Sequence, residues 1–289
     1  MGGLVRAVTV LVGTAVLGLL PTAASAAPLP VPGLPAVPAV PAAPAADLGF
    51  DVSHPQCDTP LPTGADFGVV GVNGGVATTV NPCLVDQLRW ADSTTGDVPG
   101  QPALQVYVNT ANPGHLQEEI STWPRSGDSP YGPCTGANDT ACSWVYGQIR
   151  ASVDIHGFLL PAARAAGVDV VPAELVWWLD VETMNTWQSG SAAALAANRA
   201  ALEGMHDYLA TTGARVGLYS TSQQWQQIVG LVPPGSSLYE LDSWLAGALS
   251  RSEAQLHCAD APLVAGGSVV LSQYVVERDG RPLDHDLPC

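Results

Sequence analysis

The chain has 289 residues, a formal net charge of −16, ten arginines and no lysine. So acidic a polypeptide is a poor partner for nucleic acid or an anionic membrane surface, because both require a basic face. Only 12% of residues are charged and 47% are hydrophobic, which suits a chain that buries a large core.

Arg6 precedes an apolar run from Ala7 to Leu20, followed by Pro21 and Ala24-Ser25-Ala26. A charged start, a short apolar core and a small-residue cleavage site describe a secretory signal over 1–26. No later segment is long and apolar enough to span a bilayer. Residues 27–46 are almost entirely Ala, Pro, Leu and Val, and read as a semi-rigid spacer because proline removes donors and holds the chain extended. Residues 47–289, roughly 240 in all, contain no further low-complexity break and form the expected folded domain.

Within that domain short apolar strands alternate with amphipathic stretches. The strands are expected at Leu48–Ser53, Phe67–Asn73, Ala103–Asn109, Leu175–Glu182, Arg215–Ser220, Ser243–Gly247 and Val269–Tyr274, with one more near Ala261–Ala265. Helices are expected at Pro82–Ala91, behind an Asn81 cap, at Ser143–Gly167 and at Ser191–Thr212. The last places Leu195, Leu202, Met205 and Leu209 on one face and stops at Gly213. Strands separated by helices imply parallel pairing with right-handed crossovers. The expected fold class is α/β, a single (β/α) barrel of the TIM type, preferred over an open doubly wound sheet. The Gly-, Pro- and Ser-rich stretch His115–Cys142 is expected as a disulfide-containing insertion over the barrel mouth.

Six cysteines in an exported chain point to disulfides. Fifteen pairings are open; the expected one joins Cys134 to Cys142, Cys258 to Cys289 and Cys57 to Cys83. No CxxC, HExxH or paired histidine spacing suggests a metal, and no Gly-rich phosphate loop or Gly-x-Ser-x-Gly elbow is present, so no metal and no cofactor are expected.

Trp177-Trp178-Leu179-Asp180-Val181-Glu182 carries the chemistry. Side chains alternate along a strand, so Asp180 and Glu182 share one side while Val181 faces the other, with Cα atoms about 6.6 Å apart. Two carboxyls held side by side repel, which keeps one protonated while the other ionises, the equipment for cleaving a glycosidic bond. Barrel chemistry sits at C-terminal strand ends. Those ends carry Asp51, Asn73, Tyr107, Asp180, Glu182, Tyr219, Trp244, Gln273 and Tyr274, with Asp284-His285-Asp286 near the chain end. Trp178 and Trp187 are further candidates for sugar contact, and His285 is the histidine to watch.

This succession resembles the glycoside hydrolase family 25 muramidases, the Chalaropsis-type lysozymes. The matching pieces are Asp51-Val52-Ser53 with Gln56, Leu179-Asp180-Val181-Glu182, and Gly217-Leu218-Tyr219-Ser220 before Trp225. Trp244-Leu245-Ala246, Leu271-Ser272-Gln273-Tyr274 and a terminal Asp-x-Asp, where the family has Asp-x-Asn, complete the set. The resemblance implies a secreted or wall-associated monomer acting on peptidoglycan or a related polysaccharide. It implies Glu182 as general acid, Asp180 as stabiliser of positive charge or orienter of an acetamido group, and Asp51 and Asp284 as the other catalytic acids. Tyr107, Tyr219, Trp244, Gln273 and Asn73 are the implied substrate contacts. The departures are the long His115–Cys142 interval, Val108-Asn109-Thr110 after the third strand, and the six cysteines. A glycan-binding barrel without activity and a glycosidase for another polysaccharide are the alternative readings.

Overall fold

In the computed structural model, residues 48–278 and 280–289 are described; the expected signal and spacer lie outside them. Eight strands close a barrel: β1 (Gly49–Val52), β2 (Phe67–Gly71), β3 (Leu104–Asn109), β6 (Val176–Asp180), β7 (Arg215–Ser220), β8 (Asp242–Ala248), β9 (Val269–Arg278) and β10 (Arg281–Pro288). A separate hairpin, β4 (Gly127–Ser129) with β5 (Gly132–Cys134), lies within the expected insertion. Around the barrel run α1 (Leu84–Asp92), α2 (Thr140–Val153), α3 (Leu160–Ala166), α4 (Ala192–Thr211), α5 (Ser222–Ile228) and α6 (Arg251–His257). No helix among the described residues is long and apolar enough to cross a membrane.

The barrel strands from β1 to β9 pair in parallel as expected, but the eighth strand differs in place and direction. It lies at Arg281–Pro288, not near Ala261–Ala265, and runs antiparallel to both β9 and β1. Arg278 pairs with Arg281, so only Asp279-Gly280 connects β9 to β10. Two residues make a hairpin, whereas a parallel return needs a crossover of a dozen or more. Gly280 takes the left-handed conformation (φ 74°) that such a turn uses.

The expected helix over Ser143–Gly167 is interrupted. Pro161 has no N–H and would clash with the carbonyl of Gly157, and the chain between α2 and α3 opens into a π-turn over Asp154–Leu159. Asn81 does not cap α1 directly; Cys83 does, and its N–H donates to Asn81 Oδ1 at 3.1 Å. The three disulfides pair as expected: Cys57–Cys83, Cys134–Cys142 and Cys258–Cys289.

Alternation along the strands sorts side chains into two layers. Trp177, Leu179 and Val181 face the helices, in one core with Leu88, Leu202, Met205 and Leu218. Trp178 faces the barrel interior with Phe67, Val69, Tyr219, Trp244 and Leu271. Glycine makes room for these rings: a Cβ on Gly49 would lie 2.0 Å from the Phe67 ring, and one on Gly217 would lie 2.2 Å from Trp178.

Outside the barrel, α2 and α4 touch backbone to backbone. A Cβ on Gly147 would lie 2.0 Å from the Ala201 carbonyl oxygen, and one on Gly204 would lie 2.0 Å from that of Trp144. Alanine is the better helix former by about 1 kcal/mol. Gly147→Ala is nevertheless expected to destabilise the domain by about 2–3 kcal/mol, because the clash is with backbone and the helices must separate. Denaturant melts of the two proteins measure this; equal midpoints would contradict the close crossing.

Candidate active site

The C-terminal ends of the barrel strands surround a cleft of about 290 Å³. Asp51, Asp180, Glu182 and Asp284 all line it, together with Tyr107, Asn109, Tyr219, Trp244 and Gln273. Among the described residues no arginine lines this cleft, and His54 is the one imidazole in its lining.

Each acid is held by its strand. Asp51 ends the inward row of β1, directly opposite Asp284 across the antiparallel β1–β10 pair. Like charges in that arrangement destabilise a sheet, so local stability does not account for the pair. Gln273 Nε2 donates to Asp51 Oδ2 at 2.8 Å, and Gln273 Oε1 accepts from the Tyr219 hydroxyl at 2.9 Å. Gln273 therefore has a fixed amide orientation, and its donor is already engaged with Asp51.

Asp180 is the last residue of β6, and the chain continues extended to Glu182: the Val181 N–H donates to the Tyr219 carbonyl at 2.9 Å. The backbone of this acid segment is clamped at three points. Thr110 donates to the Asp180 carbonyl through its N–H at 3.0 Å and through its hydroxyl. Ser220 Oγ donates to the Val181 carbonyl at 2.7 Å, and Trp187 Nε1 to the Glu182 carbonyl at 2.9 Å. Asp180 is only 3% exposed, with Oδ1 lacking any protein partner, whereas Glu182 is partly open to solvent.

Burial raises all four carboxyls above the ordinary range. For Asp180, burial acts first and the charge of Glu182 second, and its rise is large. Glu182 is raised chiefly by burial, against a hydrogen bond from Gln224 on α5 that favours its ionised form. Burial, more than the charge of Asp180, is thus what lifts Glu182. Burial and then Glu182 push Asp284 to about 6. Asp51 is raised strongly by burial, then by Asp286 and Asp284.

Asp286, named in sequence beside Asp284 but given no role there, lies below the cleft and not in its lining. It is fully buried in the barrel interior beneath Asp284, both oxygens lack a hydrogen-bond partner, and the Trp244 indole N–H faces it without closing a full bond. Burial and the Asp284 charge raise its pKa strongly. The signal was present: residues two apart on a strand share a face, so once Asp284 points inward Asp286 does too.

The aromatic candidates divide. Tyr107, Tyr219 and Trp244 line the cleft, with Tyr219 4.4 Å from Trp244 between ring centroids and Tyr107 edge-on to it at 6.3 Å. Trp178 is away from the cleft, in the barrel interior, donating to Gln105 Oε1 at 2.9 Å. Asn73 is fully buried behind the wall; its Oδ1 accepts from the Asn109 N–H at 2.6 Å and its Nδ2 donates to Asp154 Oδ1 at 3.3 Å. Asn109, a departure from the family pattern in sequence, is the residue that lines the cleft here. Tyr274 and His285 pack together with ring centroids 5.1 Å apart, and Tyr274 joins Ala248 and Ala254 in a cluster of its own. Gln56 shapes the turn after β1, where its Oε1 accepts from the Ser53 N–H at 2.9 Å. The insertion is not over the mouth, since no residue from 115 to 142 lines the cleft; it packs against α2 on the flank.

No family model matches the chain. It is 35% identical over 98 residues to lysozyme-like protein 5 of Caenorhabditis elegans, a stretch covering 34% of this chain and 38% of that protein. The chain therefore spans well under half the length of the curated relative it matches. Among solved structures it is similar to a muramidase from Trichobolus zukalii, with 16% identity, a TM-score of 0.48, and coverage of 84% of this chain and 94% of that one. A family GH25 lysozyme from Aspergillus fumigatus gives 12% identity and a TM-score of 0.46, covering 84% and 93%. The bacterial lysozyme from Streptomyces coelicolor gives 14% and 0.44, covering 85% and 93%.

Proposed function

We propose that this chain is a secreted glycoside hydrolase of the family 25 type that cleaves the glycan strands of peptidoglycan. The observation that carries the reading is the convergence of Asp51, Asp180, Glu182 and Asp284 on one open cleft, lined by tyrosines, a tryptophan and amides and, among the described residues, by no arginine. Burying several acids together is costly, and a surface that merely bound glycan would gain nothing from it. Lysozyme-like protein 5 supports the reading over the 98 residues it shares with this chain.

Glu182, the accessible member of the acid pair, donates its proton to the bridging oxygen as the bond from that oxygen to the anomeric carbon breaks. Asp180 stabilises the positive charge that develops on the sugar, or orients an acetamido group that attacks it. Water supplies the hydroxyl that replaces the leaving sugar, and its proton restores the acid. Asp51 and Asp284 complete the charged cleft. Tyr107, Tyr219 and Trp244 offer aromatic surface to pyranose rings, and Gln273 positions Asp51. Export through the 1–26 signal, with 27–46 as a spacer and 47–289 as a monomeric catalytic domain, fits the three disulfides, which persist in oxidising compartments.

Purified peptidoglycan incubated with the protein is expected to lose turbidity and release soluble fragments with new reducing muramic ends. Sedimentation of the folded protein with the wall, with no fragment released from several wall types, would place a binding barrel first. Release from another polysaccharide alone would redirect the substrate.

A further inference from the structure

A second groove, of about 790 Å³, lies beside the cleft's acid strand. One wall is the insertion, through His115 and Asn138; the other is the loop after β6, through Trp187 and Gln188; Ala193 and Ala197 on α4 form the floor.

The groove is built rather than incidental. Asn198 on α4 grips both backbone groups of Gln188, accepting its N–H at 3.3 Å and donating to its carbonyl at 2.9 Å. The Trp187 ring is held by its bond to the Glu182 carbonyl, five residues from the acid it serves. On the facing wall, the Cys134–Cys142 disulfide and the Asp139 cap of α2 hold the insertion in shape. The walls are tied together where the Asn112 N–H donates to the Thr186 carbonyl at 2.8 Å. Gln188 is nine-tenths buried, yet its Nε2 donor lacks a protein partner.

The lining chemistry selects the ligand. Among the described residues that line it there is no arginine, and the one carboxylate, Asp139, already accepts the Cys142 N–H at 2.8 Å. What remains is an indole, a floor of alanines, and amide, hydroxyl and imidazole groups. An apolar plane beside neutral donors and acceptors matches a pyranose, which has an apolar face and a hydroxyl or acetamido rim. A peptide stem bearing carboxylates would find no arginine or lysine here.

We propose that this groove binds uncharged sugar units of the same polymer, holding the strand while the neighbouring cleft cuts it. The proposal rests on the glycan-cleaving reading for the identity of the polymer.

The test uses the chain carrying Glu182→Gln, so that the probe is not consumed, with dimers and hexamers of β-1,4-linked N-acetylglucosamine. Calorimetry is expected to show the hexamer binding at least tenfold more tightly than the dimer. Amide resonances of Gln188, Ser189 and Thr140 should shift with the hexamer. Ala193→Trp, an exposed position in the first turn of α4, fills the groove and should bring the hexamer-to-dimer ratio below about twofold. Equal affinities for both probes, or shifts confined to cleft residues in the unfilled protein, would overturn the proposal without need of the variant. So would an acidic stem tetrapeptide moving the groove resonances when the hexamer does not. Hexamer binding in the groove with no fragments from wild-type protein would retire the hydrolase reading alone. Fragment release with no groove response would retire the groove alone.

Discussion

Glu182→Gln is expected to lower glycan hydrolysis about a thousandfold, within the range that loss of a general acid produces. Glutamine keeps the shape of the side chain and can still meet Gln224, so the clamped backbone from Asp180 to Glu182 should not move. The loss should therefore fall on kcat, with binding of oligosaccharides retained. Asp180→Asn removes the ionisable carboxyl of a residue only 3% exposed and is expected to cost about a hundredfold, as for other groups that stabilise developing charge. The pH profile separates the roles. The working acid must be protonated, and burial raises Glu182, so wild-type activity should persist above the ordinary carboxylate range and fall as pH rises through the raised pKa. Single-turnover rates across pH check this. A Glu182→Gln protein retaining a tenth of the rate, or an unchanged basic limb, would remove Glu182 from the role.

The second large effect concerns stability. Asp51, Asp180, Asp286 and Asp154 are buried carboxyls with raised pKa values, Asp154 to about 7 despite its 3.2 Å ion pair with Arg150, and Asp284 stands at about 6. A carboxyl raised in the folded state holds its proton more tightly there than in the unfolded chain. The stability linked to it is complete below the unfolded value near 4 and drains away as pH rises through the folded values. The domain should therefore melt at a higher temperature at pH 5 than at pH 8, by more than about 5 °C. Asp286→Asn removes one of these groups with little change of volume and leaves an acceptor facing the Trp244 indole. At pH 8 it is expected to stabilise the fold by about 2 kcal/mol, or about 4–8 °C, and to flatten the dependence on pH. Thermal melts of both proteins from pH 4 to 8 decide the matter. A lower melting temperature for Asp286→Asn at pH 8 would mean that the ionised carboxylate has a partner that stabilises it.

The groove and the cleft share one loop, and this links the two effects to the proposed substrate. Asn185 Nδ2 reaches Asn109 in the cleft wall at 3.4 Å, while Trp187 and Gln188 of the same loop line the groove. A strand reaching both would be held at Glu182 and at the loop five residues beyond it.

Much of this molecule is legible without its fold, for local reasons. A two-residue period places Asp180 and Glu182 together and sends Val181 into the helix-facing core, and no distant contact is needed to say so. Strands alternating with helices indicate an α/β fold but leave barrel and open sheet to be chosen between, and the disulfide pairing was one choice among fifteen; the structure closes the barrel and forms that pairing. The tertiary structure decided the rest. A two-residue connection turned the last strand back on its neighbour, and only that closure sets Asp284 against Asp51 and sinks Asp286 beneath them. Asn73 and Asn109 look alike as strand-end amides. Packing against Asp154 on the π-turn draws one behind the wall and leaves the other in the cleft. The second groove has no motif because its walls come from segments far apart in the chain, joined by a backbone hydrogen bond from Asn112 to Thr186 that carries no side-chain signature. Strand periodicity lies within a few neighbouring residues, whereas burial and enclosure are set by which distant segments meet, so the acid pair was readable from the chain and its surroundings were not.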